Sequence, residues 1–436
     1  MNDIAGIPYC EAEFDKNGKL QHPVTLPPGV TDLFVVSHGW NNTADDARAL
    51  YRELFTNFDG VAAPGDLAGR SFAIVGIIWP SKKFDELVAV AETQSAEGSA
   101  SLGGASSVAS QAQLAARLDV LKTLFTESDQ RLRLDEAKAL LADLEDKATA
   151  RRAFVEKIRS LLDPSAANKE DASTTFFKSD GNELMDSLKI DPDDLDPEVG
   201  DTSGSASVPL GVGKTAVVSG GAAGLGTSLK GFFAAALNVL NFTTYYEMKA
   251  RAGTVGRNGV AALIDQLAPS VQRIHLVGHS FGGRVVTSAA TNSTSDRIRS
   301  MSLLQTAFSH NGFSKRMSGF FRSVVDGKRV NGPILVTHTP NDKAVGVAYP
   351  LASRINGDKA AAFGDKNDVF GGLGRNGAQQ MEAGETVDGT LLEVGGNYAF
   401  AAGRFFNLES SAFIKDHGDV RGRQIAHAMR RAVATT

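Results

Sequence analysis

The strongest constraint on the fold is a glycine-rich motif in the second half of the chain. Gly278, Ser280 and Gly282 form a G-x-S-x-G pattern that follows the apolar run 274–277 and precedes the helix-compatible stretch 284–290. A strand, a tight turn and a helix in this order are typical of a nucleophile elbow, in which the central serine stands on a strained turn. The two glycines lack the β-carbons that would collide with the crossing strand and helix. A glycine-rich turn with an idle serine is the alternative.

Short apolar runs elsewhere in the chain have the character of buried strands. Unbroken apolar strands are typical of parallel sheets, because helices cover both faces of such sheets. A helix with one apolar face is predicted over residues 45–55, between two of these runs. Strands that alternate with helices predict an α/β fold, with a mostly parallel, twisted sheet flanked by helices. The runs lie at residues 33–36, 72–79, 274–277, 301–304, 334–337 and 405–408.

Interruptions of this strand pattern divide the chain. Residues 1–80 and 241–436 are predicted to form the N-terminal and C-terminal parts of the sheet core, with a glycine-rich insertion near 355–395 in the second part. Residues 81–240 show helical spacing and Ser-, Ala- and Gly-rich stretches but no strong strand pattern. They are predicted to be a large helical, partly flexible insertion, placed where a cap or lid belongs. Within it, the apolar segment 206–240 is either a wall of the serine's pocket or ordinary core packing.

The composition disfavours several classes of protein. A net charge of −5 and a pI of about 6.0 provide no basic field for nucleic acid. The single cysteine, Cys10, permits no intramolecular disulfide. The start of the chain lacks the basic and apolar regions of a signal peptide, and polar residues interrupt the most apolar stretch, 222–240. We therefore expect no nucleic-acid partner, no transmembrane segment and a cytoplasmic location by default, with signal-independent secretion left open.

A serine nucleophile needs a base that takes its proton and an acid that orients the base. After an elbow of this kind, these partners follow in the order Asp, then His. Asp342 comes just after the apolar run 334–337, at a strand end where catalytic groups collect. We therefore predict Asp342 as the acid, although a turn or helix-capping aspartate has the same local pattern.

His417 is the predicted base. It follows the last apolar run and precedes the C-terminal helix predicted over residues 421–433, on a loop that can return to the serine. His427 lies inside that helix and His338 comes too early in the chain order, so both are weaker candidates. A histidine of an ordinary surface loop is the alternative interpretation of His417.

The intermediate of acyl transfer carries an oxyanion, which backbone N–H groups stabilise. One predicted donor is the N–H of Phe281, the residue after the nucleophile. The other is the N–H of Trp40, in the loop after the first buried strand, where Gly39 lets the backbone turn toward the serine. His38 is predicted to pack under the site rather than to react.

Sequence patterns typical of nucleotide and metal sites are incomplete in this chain. Residues 213–215 resemble the end of a phosphate-binding loop, but Val208 occupies the position of the required first glycine. The acidic segment 179–204 could be taken for a calcium-binding loop, but it lacks the glycine that such a loop needs at its sixth position. The eight histidines are scattered and the cysteine is isolated, so no set of metal ligands can be assembled. We expect neither a cofactor nor a metal.

Taken together, these residues resemble a known family. The loop 38–40, the elbow 278–283 and the acid and base after it resemble α/β-hydrolase-fold serine hydrolases of the lipase and esterase kind. The stretch 245–256 is also similar to a group of poorly characterised bacterial members. The resemblance covers roughly residues 30–80 and 245–433. The long insertion between these two parts departs from the simple family pattern.

The resemblance implies an α/β-hydrolase fold and a reaction type. It implies hydrolysis of a carboxylic ester of a small molecule or lipid, through a Ser-His-Asp triad and an acyl-enzyme intermediate, without a cofactor. Hydrolysis of amide or thioester bonds uses the same triad and is one alternative. A non-catalytic binding or scaffold protein on the same fold is the other, since the long insertions and the acidic segment could serve the docking of a partner.

Overall fold

The structure is a computed structural model that describes residues 2–81, 105–168, 171–189, 231–342, 355 and 370–436. The chain divides into two compact units. The first comprises Met1–Lys82, Met248–Gly346 and Gly364–Thr436, and the second comprises Lys83–Glu247 and Val347–Phe363.

The first unit is built on a nine-stranded sheet. In this sheet β1 is antiparallel to β2, and every other neighbouring pair is parallel, which confirms the prediction of an α/β protein with a mostly parallel sheet. The spatial order is β1-β2-β4-β3-β5-β6-β7-β9-β8. The strands are β1 (Asn2–Ile4), β2 (Ile7–Glu13), β3 (Asp32–Ser37), β4 (Phe72–Ile78), β5 (Arg273–His279), β6 (Ile298–Leu304), β7 (Ile334–His338), β8 (Thr386–Thr390) and β9 (Phe405–Glu409).

The helices lie between the strands in the chain and flank the sheet in the first unit. A π-helical turn, Val255–Val260, joins α7 to α8. The helices are α1 (Ala44–Gly60), α2 (Ala105–Leu124), α3 (Ser128–Ala139), α4 (Ala148–Arg159), α5 (Ser173–Lys178), α6 (Gly181–Ser187), α7 (Gly231–Thr254), α8 (Ala261–Leu267), α9 (Phe281–Asn292), α10 (Arg322–Asp326), α11 (Leu373–Asn376) and α12 (Arg423–Ala434).

The pairing register aligns the ends of the central strands. At the end of β3, Ser37 lies opposite Ile77 of β4 and Gly278 of β5. The pairs β5–β6, β6–β7 and β7–β9 are also parallel. Because the carboxyl ends of parallel strands meet at one edge of a sheet, the loops that leave β3, β5, β6, β7 and β9 start along the same edge.

The core of the first unit forms where α1 and α12 pack on the sheet. All six residues of β3 are buried, and the ring of Phe34 lies 4.9 Å from that of Phe55 and 5.0 Å from that of Phe58, both on α1. Burying one phenylalanine side chain stabilises a fold by about 1.5–3 kcal/mol. α1 begins with a capping box in which Thr43 and Asp46 bond each other's backbone N–H groups, so its start is fixed beside the β3 loop.

The second unit is helical in its described part, which contains α2 to α6 and most of α7. Its interior includes a contact between the rings of Phe176 and Phe242, 4.6 Å apart. Glu145 accepts hydrogen bonds from the first backbone N–H groups of α7, which have no acceptor within the helix. In the predicted apolar segment, residues 233–240 lie buried in α7, and residues 206–230 lie outside the described part.

Among the described residues, none of the helices combines the length and the apolar character needed to cross a lipid bilayer. The longest described helix, α7, contains Lys249 and Arg251 near its end.

Candidate active site

The G-x-S-x-G motif forms a sharp turn between a strand and a helix. β5 ends at His279 and α9 begins at Phe281, so Ser280 is the single residue between them. Ser280 has a φ of 55° and a ψ of −126°, a backbone conformation that a residue with a side chain rarely adopts. Such strain persists only where the surroundings impose it, and it concentrates at functional sites.

Three backbone hydrogen bonds hold the strained serine. The N–H of Ser280 donates to the carbonyl of Leu304, at the end of β6, over 3.1 Å. Its own carbonyl accepts from the N–H groups of Gly283 (3.0 Å) and Ala307 (3.2 Å). The turn is therefore tied to the neighbouring strand as well as to its own helix, which offsets the cost of the positive φ.

Glycines allow three segments to meet at this turn. A β-carbon on Gly278 would lie 2.5 Å from the carbonyl oxygen of Gly282, and one on Gly282 would lie 2.1 Å from that of Ser37. A β-carbon on Gly39 would lie 2.5 Å from the β-carbon of Ser280. Real β-carbons essentially never make non-bonded contacts this short, so these positions require glycine. The close approach at Gly39 places the β3–α1 loop directly against the serine.

Asp342 and His417 come together at the same sheet edge. The Nδ1–H of His417 donates to Asp342, with separations of 3.0 Å to Oδ1 and 2.9 Å to Oδ2. The Asp342 side chain is fully buried, and 21% of the His417 side chain is exposed. Burial lowers the pKa of His417, but the charge and hydrogen bond of Asp342, with the charge of Asp416, outweigh it and raise the pKa above its ordinary 6.5. The pair thus combines a fixed tautomer with a strengthened base.

The His417 loop is linked to the elbow through His279, the residue before Ser280. The Nε2–H of His279 donates to the backbone carbonyl of His417 over 2.8 Å, and the two imidazole rings lie 5.0 Å apart. No hydrogen bond joins Ser280 Oγ to His417 Nε2 within the described residues. The structure therefore brings Asp342 and His417 into direct contact, and it brings the His417 loop, but not its ring nitrogen, into hydrogen-bond contact with the elbow.

His38 is buried in the loop that follows β3. Its N–H donates to the hydroxyl of Tyr51 (2.8 Å), and its Nδ1 lies 2.8 Å from the carbonyl oxygen of Gly39. Its ring stacks on Trp79, whose backbone N–H faces Nε2 at 3.4 Å. Burial lowers the pKa of His38 to about 4. His38 is therefore neutral near pH 7, with its proton on Nδ1, and it fixes the Gly39 carbonyl.

The two predicted oxyanion donors lie on segments that meet at the serine. Phe281 is the first residue of α9, where backbone N–H groups point out of the helix at its positive end. Trp40 follows Gly39 in the chain, and its ring lies 5.9 Å from that of Phe281. Both residues therefore lie on segments that adjoin Ser280, and their role as oxyanion donors stays a prediction.

The sequence did not single out Gln305, which also contacts the acid. Gln305 follows β6 directly, is fully buried and has a φ of 43°. Its Nε2 donates to the Gly374 carbonyl (3.0 Å) and more weakly to Asp342 Oδ2 (3.4 Å), and its N–H donates to Thr337 Oγ1 (3.2 Å). Gln305 thus contacts the same carboxylate oxygen, Oδ2, that accepts from His417. In the sequence, Gln305 could have been noticed as a polar residue directly after a buried strand.

The other candidates lie elsewhere. His427 lies in α12, where its Nε2 donates to the carbonyl of Gly396 (2.8 Å), so it is a satisfied helix histidine. His338 is the last residue of β7, and burial lowers its pKa. Of the rejected patterns, residues 190–204 of the acidic segment and residues 213–215 of the phosphate-loop pattern lie outside the described residues. Within the described part of the chain, no group of three or more His, Cys, Asp or Glu side chains is arranged to hold a metal ion.

The candidate site is recognised from the residues and the geometry of this chain. A strained serine, a histidine–aspartate pair and a glycine-lined loop collect where parallel strands end. Comparisons of the chain with protein-family models, with curated proteins and with solved structures found no match.

Proposed function

We propose that this chain is a serine hydrolase with an α/β-hydrolase fold that cleaves carboxylic esters. The observation that carries the proposal is Ser280, held at a φ of 55° between β5 and α9, at the sheet edge where Asp342 accepts the Nδ1 proton of His417. A serine on such a turn, followed in the chain by Asp and then His, is the arrangement that ester hydrolysis on this fold requires.

In the proposed first step, Ser280 Oγ forms a bond to the acyl carbon and its proton passes to His417 Nε2. The resulting oxyanion rests on the N–H groups of Phe281 and Trp40. When the tetrahedral intermediate collapses, the carbon–oxygen bond to the alcohol breaks and His417 returns the proton to the departing oxygen. An acyl-Ser280 ester remains.

In the second step, water replaces the alcohol. His417 takes a proton from water, whose oxygen attacks the acyl carbon, and the bond to Ser280 Oγ breaks as His417 protonates the serine. Asp342 stays ionised and stabilises the imidazolium formed in each half of the reaction. The carboxylic acid leaves, and the enzyme returns to its initial state without a cofactor.

The absence of a hydrogen bond between Ser280 Oγ and His417 Nε2 is compatible with this mechanism. Catalytic hydrogen bonds are often long in substrate-free enzymes and shorten when the substrate binds. Ser280 is only 5% exposed and its backbone is fixed, so the adjustment falls on its χ1 rotation and on the His417 ring. The rotation of Ser280 leaves the contact between His417 and Asp342 unchanged, because that contact involves neither Ser280 nor its neighbours in the turn.

A fluorophosphonate probe tests the proposal directly, because it reacts with activated serines. We expect the probe to label the full chain, and mass spectrometry to place the label on the peptide that contains Ser280. A panel of esters, lipids, amides and thioesters then identifies the bond that is cleaved. Without labelling and without turnover of any panel member, the enzyme assignment fails, and the binding or scaffold alternative replaces it.

The pH dependence of the reaction follows from the base. His417 must be neutral to accept the proton of Ser280, and its pKa lies above 6.5. We therefore expect kcat/KM to be constant at higher pH and to fall as the pH drops through this raised pKa. Burial lowers the pKa of His38 to about 4 and that of His279 to about 3, so both stay neutral over this range. A profile that is flat down to about pH 5 contradicts His417 as the base.

A further inference from the structure

We propose that His279 is a positioning residue that fixes the base relative to the nucleophile. Its side chain would do so by holding the backbone carbonyl of His417. This inference rests on the proposed function, because it concerns the same site, and it assigns a role to the variable residue between Gly278 and Ser280 of the elbow.

In the hydrogen bond between His279 and His417, the donor and the acceptor can be assigned. His279 is 8% exposed, and its Nε2 lies 2.8 Å from the carbonyl oxygen of His417. A carbonyl oxygen can only accept, so Nε2 carries the proton. Nδ1 is buried and has no hydrogen-bond partner among the described residues. The titratable groups near this ring are His38, His417 and Arg421, and burial together with these neighbours keeps His279 neutral. The neutral Nε2–H form is therefore the one that makes the contact.

The geometry gives His417 two anchors. Asp342 holds the ring through Nδ1, which still allows the ring and the loop to pivot about that bond. His279 holds the main chain of the same residue, which removes this freedom. Because His279 is bonded covalently to Ser280, the second anchor ties the base to the nucleophile rather than only to the sheet. Reacting groups must be placed closely, since an error of 1 Å can cost about 100-fold in rate.

The His417 loop also has its own internal hydrogen bonds. The N–H of Lys415 donates to Asp419 Oδ2 (3.1 Å), and the N–H of Gly418 donates to Asp416 Oδ1 (2.8 Å). Asn341 Nδ2 donates to the carbonyl of Ile414 (2.9 Å) at the start of the loop. None of these bonds involves His279, so we expect replacement of His279 to displace the base without unfolding the loop.

The test compares His279→Leu with His279→Gln in the full chain. Leucine removes the donor, whereas the glutamine side-chain amide extends a donor toward the same carbonyl. We expect His279→Leu to lower kcat on a short ester by about 10- to 100-fold, with KM changed by less than about three-fold. We expect His279→Gln to recover most of this loss. Equal losses in both variants, or no loss in His279→Leu, overturn the proposal.

A spectroscopic readout separates positioning from packing. In protein carrying ¹⁵N-labelled histidine, the wild type should show His279 protonated at Nε2 alone, and His417 should titrate with its raised pKa. In His279→Leu, the His417 ring signals should shift and its pKa should change, because the contact with Asp342 loosens. Unchanged His417 signals and an unchanged pKa in that variant refute the inference. His279→Asn, whose amide is too short to reach the carbonyl, should behave like His279→Leu and replaces it if leucine prevents folding.

The same data distinguish this inference from the proposed function. If Ser280→Ala retains full activity, the hydrolase mechanism fails, and the histidine spectra still decide whether His279 holds the base. If Ser280→Ala is inactive and His279→Leu is as active as the parent, the mechanism stands and the positioning role is wrong.

Discussion

Replacing Ser280 by alanine is expected to lower kcat on a short p-nitrophenyl ester by about 10⁴- to 10⁶-fold. In the proposed mechanism the change removes the atom that forms the acyl-enzyme bond, and the rate that survives comes from the oxyanion donors and from substrate binding. Alanine keeps the β-carbon that packs against Gly39, so the turn should retain its shape. Steady-state kinetics, with thermal unfolding of both proteins, measure the effect.

Ser288→Ala is the matched control for this prediction. Ser288 lies on α9, the helix that Ser280 precedes, and it is 3% exposed, so the same atom is removed from an equally buried site. We expect Ser288→Ala to retain the parental kcat. A Ser280→Ala variant that keeps more than about a tenth of the parental rate, in a folded protein, contradicts the nucleophile assignment.

The sequence predicted most of the sheet because its central strands are buried on both faces. Such strands appear as unbroken apolar runs, and β3, β5 and β7 each contain the predicted run. β8 was not predicted, since its Thr-Val-Asp-Gly-Thr sequence is half-buried or exposed and carries no apolar pattern. β1 has only three residues, which is too short for any periodicity.

The candidate site was likewise predicted from the sequence only in part. The positions of Ser280, Asp342 and His417 were predicted because each follows an apolar run in a fixed chain order. The roles of Gln305 and His279 depend instead on contacts between segments far apart in sequence. A positive φ at a glutamine, or the direction of a buried imidazole, has no signature in local composition. The structure alone supplies these contacts.

Asp342→Asn is expected to lower kcat by about 10⁴-fold while leaving the fold intact. Asparagine has nearly the same shape as the fully buried Asp342, and its amide oxygen can still accept from Gln305 Nε2. It no longer presents two acceptors to His417, so the tautomer with the proton on Nδ1 loses its stabilisation, and so does the imidazolium of the transition state. Kinetics on the same ester, with thermal unfolding as the folding check, measure the loss.

The pH dependence of the remaining activity tests the electrostatic part of this prediction, because the direction in which the acid limb of kcat/KM moves can be predicted. The charge and hydrogen bond of Asp342 raise the pKa of His417, whereas burial lowers it. Removing the charge leaves burial dominant, so the acid limb of kcat/KM should move to lower pH in Asp342→Asn.

Asp416→Asn is the control, because Asp416 raises the same pKa from one residue away but does not orient the ring. It should move the limb in the same direction by less and keep kcat near the parental value. If both variants lose activity equally, the loss is electrostatic, and Asp342 has no special role in orienting the base.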